Sequence, residues 1–514
     1  MPGWLNDAVF YEVYPQSFCD SNGDGIGDIN GIISKLDYIQ GLGCTALWIN
    51  PCFVSPFRDG GYDVADYQLV APRYGTNEDL YRLFAEAHAR GMHVLLDLVP
   101  GHTSDQHPWF QKSALPSANS YSNRYIWTDS VWTVPRDLRC ISGSVPRNGN
   151  YVVNFFSTQP ALNYGFAHVT ERWQLPASHP DCLATRDAMK EVMRFWLEGG
   201  CDGFRVDMAD SLVKNDDDKQ ATSAVWRDIR AMLDKEYPEA ALVSEWSDPA
   251  RALRAGFHAD FYLDHEDNGY RALFRRTDLR TGAPMGFFGS EGHGDISLFV
   301  SDYLKRCEDA RGLGFISFIT GNHDTPRMRR FLDVTQLKLA YAFLFTMPGV
   351  PFLYYGDEIG MRFVEGLVSK EGGYDRTGSR TPMQWGPGAT HGFSSAPADS
   401  LYLPVDTSPD APTVEAQESD VDSLLNTVRN VIHLRHTLAD LQAEGSFEVL
   451  YAQPESYPFV YRRGNLLIAV NPSPHMATAP VGLPGNVLFS LGELPARAER
   501  ETRMAPLSFV VIQP

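Results

Sequence analysis

Short, nearly continuous apolar runs alternate along this chain with longer stretches whose apolar residues recur every three or four positions. The runs at 8–14, 46–49, 93–99, 203–207, 241–244, 259–263, 315–320 and 351–355 read as buried strands. Between them, the spacing predicts helices. Over 32–42, Ile33, Leu36, Ile39 and Leu42 fall on or near one face, and further helices are predicted over 80–89, 186–198, 225–233 and 337–345. Arg90-Gly91 and Gly199-Gly200 supply stop signals. The alternation fails once, after Gly101. Residues 104–164 are rich in Ser, Asn, Pro and aromatics and carry only short strand patterns such as 151–155, which is too long a stretch for a plain loop. A helix over 423–441 precedes a tail with short alternating runs at 459–462, 466–470 and 508–512. Eight strands alternating with helices predict an α/β fold, a (β/α)8 TIM barrel. The expected organisation is barrel over 1–103, an inserted domain over 104–170, barrel again over 171–445, and a C-terminal antiparallel β-sandwich over 446–514.

Composition narrows the possibilities. The 514 residues are 43% hydrophobic and 21% charged, an ordinary soluble balance. A formal net charge of −20 disfavours phosphate backbones and anionic membranes and suits a neutral substrate. The N-terminus has no basic region followed by an apolar one, and no apolar stretch is long enough to span a bilayer. The seven cysteines are scattered and form no CxxC pair, so reduced thiols in a cytoplasmic protein are expected and zinc is not.

In a parallel barrel the chemistry gathers at the C-terminal ends of the strands. In the fourth run, Gly203 to Asp207, alternate side chains share a face, so Arg205 and Asp207 point the same way. A guanidinium beside a carboxylate favours its ionised form. Alone, that pair reads first as a structural ion pair in a core, since ion pairs outnumber catalytic sites. Three other strand ends change the weighing: Asp97-Leu-Val-Pro-Gly-His102, Ser244-Glu245-Trp246 and Gly321-Asn-His-Asp324. Polar residues at the same end of four strands make a constellation.

These stretches, DLVPGH (97–102), GFRVD (203–207), SEW (244–246) and GNHD (321–324), resemble the α-amylase family, glycoside hydrolase family 13, in its order and on its strands. FYEVYPQSF (10–18), DSNGDGIGDINGI (20–32), DGGYDVADY (59–67), HTSDQHPWF (102–110) and SRTPMQW (379–385) point to its oligo-1,6-glucosidase, α-glucosidase and trehalose synthase branch. The resemblance implies Asp207 as nucleophile, Glu245 as general acid/base and Asp324 as the carboxylate gripping the sugar hydroxyls. A retaining mechanism needs the first two roughly 5–5.5 Å apart, with Glu245 protonated and Asp207 ionised, and Arg205 is expected to serve that split. His102 and His323 are expected to donate hydrogen bonds to sugar hydroxyls. Tyr62 resembles the platform under the reacting sugar. Asp59 matches the acid that closes the pocket in exo-acting members, paired with either Arg376 or Arg380.

The run from Asp20 to Asp28 places oxygen ligands at Asp20, Asn22, Asp24 and Asp28, with the Ile26 carbonyl available and Gly25 permitting a turn. It matches the branch's metal loop, and one structural calcium is expected there. Two departures stand out: Gly101 replaces the family's Asn, and Ala161 replaces the Asp of QPDLN. They count against a second calcium between barrel and insertion, and Ala161 is expected to loosen the insertion near the pocket. Met208 leaves the linkage undecided, since Val accompanies α-1,6 and Thr α-1,4 preference. The expected activity is hydrolysis of short α-glucosides through a covalent glycosyl-enzyme. A transglycosylase or isomerase such as trehalose synthase on the same site is the alternative. A non-catalytic sugar-binding protein ranks last, because all three carboxylates are present.

Overall fold

The computed structural model describes residues 1–514 except 266–267, 290–291, 373–375 and 498–499. Eight parallel strands form one sheet: β1 Phe10–Val13, β2 Ala46–Ile49, β3 His93–Leu98, β4 Gly203–Val206, β5 Ala241–Ser244, β6 Ala259–Phe261, β7 Phe315–Ser317 and β8 Phe352–Tyr354. They pair in sequence order, and β8 pairs back onto β1 with Phe10 opposite Phe352. Beyond β7 the backbone N–H of Phe352 donates to the Phe318 carbonyl at 2.8 Å, which closes the sheet into a barrel. The strands are mostly apolar because one side fills the barrel and the other faces helices, and polar exceptions such as Glu12, Asp97, Arg205, Ser244 and Asp260 are buried. Gly203 is required by contact: a Cβ there would lie 2.0 Å from the Ala241 carbonyl oxygen of β5.

The helices are longer than their apolar spacing suggests, because caps extend them. The helix expected over 186–198 runs Pro180–Glu198, with His179 as N-cap and proline in its first turn. The helix expected over 32–42 is two, Ile29–Ser34 and Leu36–Gly41. Asp28 caps the first, accepting from the Gly31 N–H, and Lys35 turns the chain between them. Val334–Thr346 is buried on nearly every face. The barrel covers one side, and Leu424–Thr437 and the C-terminal sheet cover the other, so the helix needs no polar stripe.

The segment after β3 forms a small body of its own. Cys140–Ser142 pairs antiparallel with Asn150–Val152, and Ile126, Val152, Ala161 and Phe166 make a local core. The run read as a strand over 151–155 stops at Val152, because the chain beyond it turns toward the barrel mouth. The tail builds a five-stranded antiparallel sheet and a three-stranded one that share a core of residues such as Val460, Ala479, Met504 and Ile512.

Candidate active site

A cavity of about 330 Å³ opens at the C-terminal ends of the barrel strands. Asp59, Tyr62, His102, Asp207, Glu245, Asp324 and Arg376 all line it. Parallel pairing explains the convergence: β4 and β5 are neighbours, so Asp207 and Glu245 leave adjacent strand ends. The Glu245 backbone N–H donates to the Val206 carbonyl at 3.0 Å, extending that pairing to the reactive positions. Met208, the next residue, has φ of 42°, uncommon for a non-glycine residue. In that conformation its N–H donates to Glu245 Oε2 at 3.0 Å.

Arg205 lies buried under the carboxylates and is divided among three of them. It approaches Asp97 at 2.9 Å, Glu245 at 2.9 Å and Asp207 at 3.4 Å. Asp97 is fixed in turn by the Trp48 indole N–H at 3.0 Å and the Tyr62 hydroxyl at 2.8 Å. The support expected from Arg205 for ionised Asp207 is shared out, and Asp207 has the most distant of the three contacts. Burial and the Glu245 carboxylate push its pKa well above the ordinary range, with Arg205 opposing.

Asp324 is treated in the opposite way. Oδ1 accepts from Arg376 at 2.7 Å and Arg380 at 2.9 Å, and Oδ2 lies 3.3 Å from His323 Nε2. Burial works against ionisation, but His323 and the two arginines overcome it and hold the carboxyl well below its usual range. Arg376 is the partner of Asp59, and so spans Asp59 and Asp324. Gln159 of the insertion donates to the other Asp59 oxygen at 2.7 Å. Burial, opposed by Arg376 and Gln159, raises Asp59 to about 6. Arg380 sits deeper, donating to Glu371 at 2.7 Å and to the His323 carbonyl at 2.9 Å. Tyr14 and Gln16 also donate to Glu371.

The histidine expectations change. His102 Nε2 faces the Tyr62 carbonyl at 3.1 Å and must carry the hydrogen, since a carbonyl only accepts. Nδ1, buried and without a partner in the structure, is left as an acceptor, not a donor, and burial lowers the pKa to about 4. His323 is wholly buried behind Tyr62 and does not line the cavity. Tyr62 stacks on it with centroids 5.1 Å apart and planes at 12°.

Several lining residues lie outside the motif roles: Phe155, Asp210, Leu263 and His265, while Met208, singled out for linkage, also lines the cavity. Trp246 belongs to a recognised motif, but its place in the lining came from folding alone. Asp260 on β6 steadies that corner, accepting from Ser244 Oγ at 2.6 Å and the Trp246 N–H at 3.1 Å. Only the alternation of strand residues could have pointed to it.

The two departures have a structural counterpart. A Cβ at Gly101 would lie 2.6 Å from Asn154 Nδ2 of the insertion. Lys214 Nζ donates to Asn154 Oδ1 at 2.8 Å and to the Ser211 carbonyl at 2.6 Å, so an ammonium ties the insertion to the loop after β4. Ala161 does not loosen this region. It is buried, its N–H donates to the Val152 carbonyl at 2.8 Å, and it pairs with His102.

In the 20–28 loop the side chains close on their own backbone. Asp20 accepts from the N–H groups of Asn22, Gly23 and Gly25, Asn22 from Asp24, and Asp24 from Ile26. Asp28 accepts from Ser21 and Gly31. The donor set is all oxygen and has no ion-pair partner among the described residues, which is the chemistry of a hard-cation loop. Yet no three Asp, Glu, His or Cys side chains converge as a metal cluster among the described residues.

A model of the alpha-amylase catalytic domain matches residues 12–444. The trehalose synthase/amylase TreS of Mycolicibacterium smegmatis is 35% identical over 493 residues, covering 87% of this chain and 78% of that protein. The oligo-1,6-glucosidase of Parageobacillus thermoglucosidasius is 30% identical, covering 96% and 94%. Among solved structures, an isomaltulose synthase mutant of Erwinia rhapontici NX5 in complex with sucrose superposes with a TM-score of 0.81 at 26% identity, covering 100% of both chains. With its barrel, its four strand-end motifs and this match over most of its length, the chain belongs to the α-amylase family, glycoside hydrolase family 13.

Proposed function

We propose that this protein is a retaining α-glucosidase that releases glucose from short α-glucosides through a covalent glycosyl-enzyme. The observation that carries the reading is the placement of Asp207 and Glu245 on adjacent strand ends, with Asp324 across the same cavity. In it Asp207 attacks the anomeric carbon while Glu245 protonates the leaving oxygen and then activates the water. Asp324, kept ionised by three cationic neighbours, binds the sugar hydroxyls. Tyr62 is the platform, His102 lines the cavity beside it, and Arg205 supports the pair from below. Positive charge developing on the sugar ring adds to Arg205 in favouring the Asp207 anion that the nucleophile must be. Asp59 and Arg376 close the far end, which suits chain ends rather than chain middles.

Rearrangement without release of glucose is the second reading. Relatives named trehalose synthase and a structural neighbour named isomaltulose synthase favour it. Both readings use the same residues and differ in what takes the glucosyl group from Asp207. Incubation with maltose, sucrose and trehalose, with products separated by chromatography, discriminates them. Free glucose supports hydrolysis, a rearranged disaccharide supports isomerisation, and no change in any sugar would overturn both.

One structural calcium in the 20–28 loop is part of this reading, supported by its all-oxygen donor set. So is a cytoplasmic setting, supported by seven cysteines that are all free.

A further inference from the structure

His323 lies beneath the cavity, stacked against Tyr62 and, at 6.1 Å and 7°, against Tyr14. Its two ring nitrogens meet carboxylates from opposite sides. Nδ1 is 2.8 Å from Oε1 of Glu12 on β1, and Nε2 is 3.3 Å from Asp324 Oδ2. Nδ1 is within hydrogen-bond distance of Glu12, while Nε2 faces Asp324 at ion-pair distance without a hydrogen bond; two anions on opposite sides of the ring favour the form protonated at both nitrogens, an imidazolium.

Glu12 has little other reason to be a carboxylate. It is wholly buried, and His323 is its only ion-pair partner among the described residues. Asn50 Nδ2 donates to Oε1 at 3.2 Å, while Oε2 has no hydrogen-bond partner. A buried carboxylate with an unpartnered oxygen is costly, and a neutral amide of the same shape would avoid much of that cost. What the amide lacks is the charge that obliges Nδ1 to keep its proton.

We propose that Glu12 is a positioning residue for glucoside cleavage: it keeps His323 an imidazolium, and that cation holds Asp324 ionised and aimed at the sugar. The proposal rests on the assignment of Asp324 as the sugar-gripping carboxylate. Burial disfavours the charged ring, but Asp324 and Glu12 prevail and raise His323 to about 9. The other charged or titratable groups around it are accounted for. Tyr14 and Tyr62 stack and stay neutral, their hydroxyls raised by burial. Burial raises the Glu12 carboxyl itself, opposed by His323 and Arg205, Asp97 adds negative charge near the ring, and Arg380 Nε donates to the His323 carbonyl.

Glu12→Gln in the full chain tests this. The amide oxygen can still accept from Nδ1, so shape is kept and only charge is lost. In the variant His323 should titrate nearer the ordinary value of about 6.5. Its kcat/KM should approach that of the wild type at pH 5.5 and fall away above neutrality, by about tenfold for each unit past the new pKa. A variant-to-wild-type ratio that is constant across pH would reduce Glu12 to a packing residue and overturn the proposal. A second measurement does not depend on the variant folding or on the activity assigned. In 15N-histidine NMR of the wild type at pH 7.5, the His323 signal, identified by its loss in His323→Asn, should show both ring nitrogens protonated. A neutral tautomer there would overturn the proposal, whereas an imidazolium in a protein inactive on every α-glucoside would isolate the failure in the functional reading.

Discussion

Asp207 is held where burial and a neighbouring carboxylate both resist its ionisation. A carboxyl whose folded pKa is raised contributes stability that is present below the unfolded value and lost as pH rises through the folded one. At neutral pH the residue therefore costs stability for the sake of chemistry. Asp207→Asn is expected to lower kcat by about 10³-fold or more. It is also expected to raise Tm at pH 7, with little change at pH 4. Calorimetry at the two values checks the sign, and a Tm lowered at pH 7 would contradict it. The same shift places the acid limb of kcat/KM above the ordinary carboxylate range. A limb near pH 4 would mean that Arg205 holds Asp207 ionised after all. Glu245→Gln should cripple turnover of natural disaccharides but spare the first step with aryl glucosides, whose leaving groups need less protonation. Equal losses on both substrate types would remove Glu245 from the acid role. The positions of these carboxylates were legible in the sequence because each ends a recognisable strand, whereas their roles were implied by the resemblance to the family.

At the scale of single elements, two loops matter most. The loop carrying Arg376 meets the β2–β3 connection at Asp59 and the insertion at Gln159, which grips the same carboxylate. Asp59→Ala frees Arg376 on that side and opens the far end. Its effect should be larger on maltose than on maltoheptaose, and the wild type should yield glucose, not mid-length products, early in a time course on maltoheptaose. Equal effects on short and long substrates would argue that the pocket is not closed there. The choice of Arg376 over Arg380 was not legible, because the two lie four residues apart, Arg380 inside SRTPMQW and Arg376 just before it, and only depth separates them. The other loop is 20–28. If a cation joins its oxygens, chelation should lower Tm and added calcium restore it by mass action. No shift in either direction would leave the loop held by its backbone hydrogen bonds alone.

Across the whole molecule, barrel and tail share one apolar core. Phe459 and Tyr461 of the tail pack on Phe343 of the Val334–Thr346 helix, and Phe447 packs on Tyr303. A buried arginine of the tail binds the joint, Arg463 donating to the carbonyls of Thr346 and Gln442, and beside it Arg435 ties its own helix to the chain end after Val334–Thr346 through the carbonyls of Phe345, Met347 and Gly349. Thermal unfolding should therefore appear as one cooperative transition. Arg463→Met should lower its midpoint by leaving several buried carbonyls unpaired. Two separated transitions in the wild type would show that the tail is an independent unit.

Strand order, the alternation of strands with helices, the break after β3 and the four strand-end motifs are properties of residues near one another in the chain. Periodicity and short motifs record such properties, so the sequence alone determined the barrel and its candidate carboxylates. Whatever depends on distance between remote residues was decided only by folding. Arg205 is shared three ways because β3, β4 and β5 lie side by side, and no spacing reveals that its contact to Asp207 is the longest. His102 is an acceptor because its N–H is taken by a carbonyl 40 positions away in the chain. Glu12 and His323 are 311 positions apart, and they meet because a closed barrel brings β1 alongside the strands that end it.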